Sequence, residues 1–132
     1  MTDQQDTPDT PPSKVHGLAH VFAAARYSYG GFRVLWSETA FRHEVLLGAV
    51  MLAVMAAVGA SLLLVTLGLI LVLITLAIEA LNTAIEVLVD HISPGYSDMA
   101  KHAKDLGSFA VFCLLVANAV YFLFVLYSAL SA

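Results

Sequence analysis

Between Thr75 and Asp90 the chain reads TLAIEALNTAIEVLVD, an apolar segment that carries Glu79, Asn82, Glu86 and Asp90. At about 100° per residue these four fall within roughly 80° of one another on a helix. Thr75 and Thr83 join the same stripe. Carboxylate oxygens without His or Cys partners suit a hard cation, and Mg²⁺ held by one or two carboxylates plus phosphate is the usual pattern. A nearby lysine adds a point charge for phosphate. A spare carboxylate can accept a hydroxyl proton. Metal, lysine and base together are the parts that phosphoryl transfer requires. The nucleotide signatures GxxxxGK followed by Ser or Thr, and GxGxxG, are both absent. Two other readings fit the same stripe: a proton or ion path, and helices of an oligomer paired through hydrogen bonds.

The elements that must position these groups follow from composition. The 132 residues are 60% hydrophobic and only 12% charged, against about 25% charged in soluble domains. The stretch Val45–Ile78 contains no charged residue, and neither does Leu106–Ala132. Each exceeds the roughly 20 residues that cross a bilayer, so the chain reads as an all-α integral membrane protein. One helix through Val45–Ile78 and its flanks would be far too long. Gly59-Ala60-Ser61 is the best place for a tight turn. The expected elements are a first membrane helix over 38–58, a second over 61–90, a loop over 91–99 around Pro94-Gly95, and a third helix over 100–130. The second helix, roughly 45 Å long, carries its last turns out of the hydrocarbon.

Ahead of these, residues 1–14 are polar, acidic and proline-rich and read as a disordered tail rather than a signal peptide. Residues 15–36 read as an amphipathic surface helix, with Leu18, Val21, Phe22, Ala25 and Tyr29 at helical spacing, Arg26 and Arg33 on the polar side, and Gly30-Gly31 as a point of weakness. Residues 15–132 thus form one membrane domain. Glu38 and Arg42 have the spacing of an i, i+4 ion pair. Asn118 in the third helix reads as a helix-pairing hydrogen bond. Cys113 has no intrachain partner, since it is the only cysteine, and the histidines have no zinc-ligand spacing.

The basic residues set the orientation. Lys14, Arg26, Arg33 and Arg42 precede the first crossing, and Lys101 and Lys104 lie between the second and third. The positive-inside rule places the N-terminus and the Pro94 loop in the cytoplasm and the C-terminus outside. The helix directions then gather Glu79, Asn82, Glu86, Asp90, Glu38, Lys104 and Asp105 at the cytoplasmic membrane surface. No nucleic-acid partner is expected.

At these residues the sequence resembles a known family. ExxNxxxExxxD within EALNTAIEVLVD is similar to the signature of bacterial diacylglycerol kinases. AKDLGS (103–108), ETAFRHE (38–44) and RYSYGGFRVLW (26–36) resemble three further blocks of that family, in the same order. The resemblance implies a homotrimer of three-helix subunits with shared active sites, transferring the γ-phosphate of MgATP to a lipid hydroxyl in the bacterial inner membrane. By position it implies Glu79 as general base, with Asn82, Lys104 and Asp105 also catalytic. It implies Glu38 and Glu86 as Mg²⁺ ligands, and Tyr27, Asp90, Gly95, Tyr96 and Ser97, with Lys104 and Asp105, around ATP. It implies His20, Ser28, Arg33 and Ser108, with Glu79, around the lipid. His20, Ala23 and His102 stand where basic residues are common in the family. One branch of the family phosphorylates diacylglycerol and another undecaprenol. AFRHE resembles the first, which makes diacylglycerol the expected substrate and undecaprenol the alternative. Outside enzymes, a small ion or proton pathway protein is the rival expectation.

Overall fold

The computed structural model describes residues 18–131. The tail expected over 1–14, and the first residues of the helix expected from 15, lie outside the described residues. Four helices follow one another: α1 (Leu18–Ser37), α2 (Thr39–Ala57), α3 (Leu62–Ile92) and α4 (Asp98–Leu130). Among the described residues there is no strand. By length and composition α2, α3 and α4 can each cross a membrane. Their outward residues are large and apolar: Leu46, Leu73, Phe112 and Leu123 are each more than half exposed. In water that surface would drive aggregation; in a bilayer it is the lipid-facing side.

Local chemistry fixes each boundary. α1 runs unbroken through Gly30-Gly31 and ends one residue before Glu38, whose backbone is extended at φ −77°, ψ 130°. The last carbonyls of a helix lack partners. Here Arg42 reaches back to supply them, donating to the Trp36 carbonyl at 2.9 Å and the Ser37 carbonyl at 3.1 Å. The guanidinium is thereby committed to the junction, and the Glu38–Arg42 ion pair suggested by spacing does not form. With Glu38 outside the helix, the i, i+4 geometry that would favour it is gone. Phe32, Trp36 and Phe41 pack around the same corner, with ring centroids 5.4–6.5 Å apart.

The turn between α2 and α3 is a Schellman motif: Gly59 N–H donates to Ala56 O and Ala60 N–H to Met55 O. Gly59 takes φ +78°, a conformation that costs glycine nothing. Ser61 caps α3 through the Leu64 N–H. The α3–α4 connection is shorter than the loop expected over 91–99. Ser93 ends α3 and Ser97 caps α4 through the Ala100 N–H at 3.1 Å, and the two hydroxyls bond to each other at 3.1 Å.

α3 lies antiparallel between α2 and α4. Against α2, a Cβ on Gly48 would meet Val72 Cγ1 at 2.6 Å, and one on Gly68 would meet Met55 Cε at 3.2 Å. Against α4, buried positions Ala100, Gly107, Val111, Asn118 and Val125 repeat with heptad-like spacing. Asn118 Nδ2 donates to Thr75 Oγ1 at 2.7 Å and to Leu114 O at 2.8 Å. At about 1.5 Å per residue, α2 is just long enough for a hydrocarbon core of about 30 Å, while α3 and α4 overrun it.

Gly48→Ala tests the α2–α3 approach. Val72 is β-branched and stiff, so the variant should unfold in detergent with a loss of about 1–3 kcal/mol. Adding Val72→Ala should recover part of that loss, and thermal unfolding of both variants checks it.

Candidate active site

The acidic stripe of α3 runs from buried to exposed. Glu79 and Asn82 retain 5% and 8% of their surface. Glu86, one turn further on, is half-buried, and Asp90 is open to solvent. The gradient follows from the fold: the last turns of α3 pass the end of α2, so each successive group loses cover. Asn82 Nδ2 donates to Glu86 Oε1 at 3.1 Å, linking consecutive turns.

Two further charged groups converge on this stripe. Glu38, at the start of α2, lies within electrostatic reach of Glu79, as does Glu86. From α4, Lys104 forms an ion pair with Asp90 that ties the first turns of α4 to the last of α3. Asp105 pairs with Lys101 on its own helix instead. Gly107 explains how α4 comes so close: the position its Cβ would occupy is taken by Asn82 Oδ1. That oxygen is buried against α4 and has no hydrogen-bond partner.

The structure therefore gathers Glu38, Glu79, Asn82, Glu86, Asp90 and Lys104. Other candidates stand apart. Tyr27, Ser28 and Arg33 are exposed on α1, where Arg26 stacks over the Tyr27 ring at 5.9 Å. Ser108 is exposed on α4. Gly95 and Tyr96 are exposed in the connection, Tyr96 bonding only to Asp98, and Ser97 is occupied as a helix cap. The His20 side chain lies outside the described residues.

One group was not singled out from the sequence. Glu44 of α2 is within electrostatic reach of Glu79, and its Oε2 is buried without a partner. Its signal was long-range: counting equal steps outward from the Gly59 turn sets Glu44 opposite the Thr75–Glu79 stretch. Glu44 also lines one end of a cavity of about 180 Å³ between α2, α3 and α4, whose other walls include Met51, Val72, Leu115 and Phe122.

Among the described residues no group of three or more His, Cys, Asp or Glu is arranged to hold a metal by itself. The pair Glu38 and Glu86 nevertheless fits Mg²⁺ as it is held with nucleotides, where one or two carboxylates suffice and phosphate and water complete the shell.

Comparison with known proteins agrees with this chemistry. The family model described as prokaryotic diacylglycerol kinase matches residues 26–126. A diacylglycerol kinase of Sinorhizobium sp. is 49% identical over 111 residues, covering 84% of this chain and 81% of that one. The diacylglycerol kinase of Escherichia coli K12 is 36% identical over 115 residues, covering 85% and 93%. That of Haemophilus influenzae is 32% identical over 103 residues, covering 77% and 87%. With the membrane helices and the carboxylate stripe already in place, these matches establish that the chain belongs to the prokaryotic diacylglycerol kinase family and is a membrane lipid kinase.

Proposed function

We propose that the chain transfers the γ-phosphoryl group of MgATP to the primary hydroxyl of diacylglycerol, giving phosphatidic acid and ADP, at the cytoplasmic face of the bacterial inner membrane. The observation that carries this reading is the burial gradient along α3. Glu79 lies in the covered part of the stripe, toward the apolar middle of the helices, and Asp90 and Lys104 lie at its open end, so one site has both an apolar and an aqueous side. The apolar cavity beside Glu44 supports an amphiphilic acceptor over a soluble one. The basic residues flanking the helices support the cytoplasmic face.

In this reading Glu79 accepts the proton of the lipid hydroxyl as its oxygen bonds to the γ-phosphorus and the bond to ADP breaks. Asn82 holds Glu86 in place through its Nδ2 while its Oδ1 packs against Gly107. Glu38 and Glu86 hold Mg²⁺, which when bound offsets the negative charge of the phosphates. Lys104 leaves Asp90 for the phosphates, and Asp105 stands beside it. Tyr27, Gly95, Tyr96 and Ser97 flank the nucleotide, and His20, Ser28, Arg33 and Ser108 flank the lipid headgroup. These last groups lie on separate elements, α1, the α3–α4 connection and α4, and α1 is exposed on nearly every side. Both features support a homotrimer in which neighbouring subunits complete each site. Residues 15–132 act as the single kinase domain behind the 1–14 tail.

Glu79→Gln should lower kcat by about 10²–10⁴-fold, the usual contribution of a general base, with the oligomer unchanged in size. A variant that keeps near-normal turnover removes Glu79 from the role. Glu38→Ala and Glu86→Ala should each raise the Mg²⁺ concentration needed for half-maximal rate, measured by titrating the metal at fixed ATP. Gly107→Ala should push the Asn82 amide off Glu86 and lower kcat, while an Asn82→Ala background, which frees that space, should show little further loss.

A further inference from the structure

The contact between α3 and α4 has to hold one alignment, because the site draws Glu79, Asn82 and Asp90 from one helix and Lys104 from the other. Apolar packing specifies that alignment poorly in a membrane, since lipid tails offer the same contacts. The buried face of α4 also repeats itself, with Ala100, Gly107, Val111, Asn118 and Val125 at heptad-like steps. Among the described residues three polar contacts cross from α4 to α3. The Lys104–Asp90 pair is exposed and long-armed. The Tyr121 hydroxyl donates to the Leu64 carbonyl at 2.6 Å, but each turn of a helix presents a similar carbonyl. Only Asn118–Thr75 joins two buried side chains.

That contact admits a single partner. Both Nδ2 hydrogens of Asn118 are used, one on Thr75 Oγ1 and one on Leu114 O, and Thr75 passes its own hydrogen to Leu71 O at 3.0 Å. One turn along α3 lies apolar Leu71 in one direction and Glu79 in the other. A one-turn displacement would leave the amide in hydrocarbon without its acceptor, or set it against the carboxylate of the site. A lone Asn in a repeating apolar seam is a known way to fix alignment between helices.

We propose that Asn118 is a positioning residue for the phosphoryl transfer: its bond to Thr75 locks the register of α4 on α3 and thereby sets Gly107 against Asn82 and Lys104 against Asp90. The effect on rate rests on the lipid-kinase reading, while the effect on register does not.

The test is Asn118→Leu, with the exchanged pair Thr75→Asn/Asn118→Thr as rescue. Turnover of diacylglycerol should fall about three- to tenfold in the single variant, the scale of one buried hydrogen bond between membrane helices, with KM for the lipid unchanged. The exchanged pair should recover kcat. Register is read separately by spin labels at Leu63 and Phe109, both exposed, in a Cys113→Ala background. Labelled chains are diluted with unlabelled ones so that distances within one chain are measured. The parent should give one distance, and Asn118→Leu a second population displaced by about 5 Å, one helical turn. An unchanged distance overturns the proposal, whether or not stability or rate has fallen. A second population without any lipid phosphorylation in the parent upholds the register lock and defeats the kinase reading.

Discussion

Everything in this molecule turns on holding carboxylates at the edge of hydrocarbon. An ionisable group at the centre of a membrane helix costs about 2.5–3.5 kcal/mol, and less toward the surface. The fold meets that constraint through helix length. α2, with 19 residues, ends near the membrane boundary, whereas α3, with 31, continues past it. Glu79 is covered because α2 and α4 still flank it at that level; Asp90 is open because α2 has stopped. The depth of each acidic group is set by where the helices end, more than by its immediate neighbours.

Close approach follows from the same constraint. With no water to drive helices together, small side chains have to let backbones meet. Gly48 and Gly68 do so toward α2, and Gly107 does so at the site itself, where Asn82 fills the space a side chain would take. The glycine of AKDLGS is thus part of the site's shape. At the other corner Arg42, in the first turns of α2, is used on the α1 carbonyls. Among the described residues that leaves Glu38 without an ion-pair partner.

Much of this was legible in the sequence because it is local. The period of the Thr75–Asp90 stripe, the uncharged runs and the Gly59 turn each depend on residues within a few positions of one another, and the helices form where those signals place them. The Asn118 bond also appears as expected, with Thr75 as its partner. What the sequence concealed depends on pairing between helices. Glu44 joins the stripe only once α2 folds back along α3. The Glu38–Arg42 spacing misled because the helix starts one residue too late to use it. Gly30-Gly31 did not break α1, since the helix supplies their backbone hydrogen bonds and nothing crowds them. Tyr27, Ser28 and Arg33 on α1 are exposed, and Ser97 in the connection is used as a helix cap.

Whether this stripe serves phosphoryl transfer to a lipid is read from the identity of the product. Purified protein in mixed micelles would receive ATP labelled at the γ-phosphate, with diacylglycerol or undecaprenol offered separately. Label should appear in phosphatidic acid and depend on Mg²⁺. Label only in undecaprenyl phosphate would keep the chemistry and contradict the substrate. No label in either lipid would contradict the account, and ATP-independent proton flux through the same protein in liposomes would then mark the stripe as an ion path.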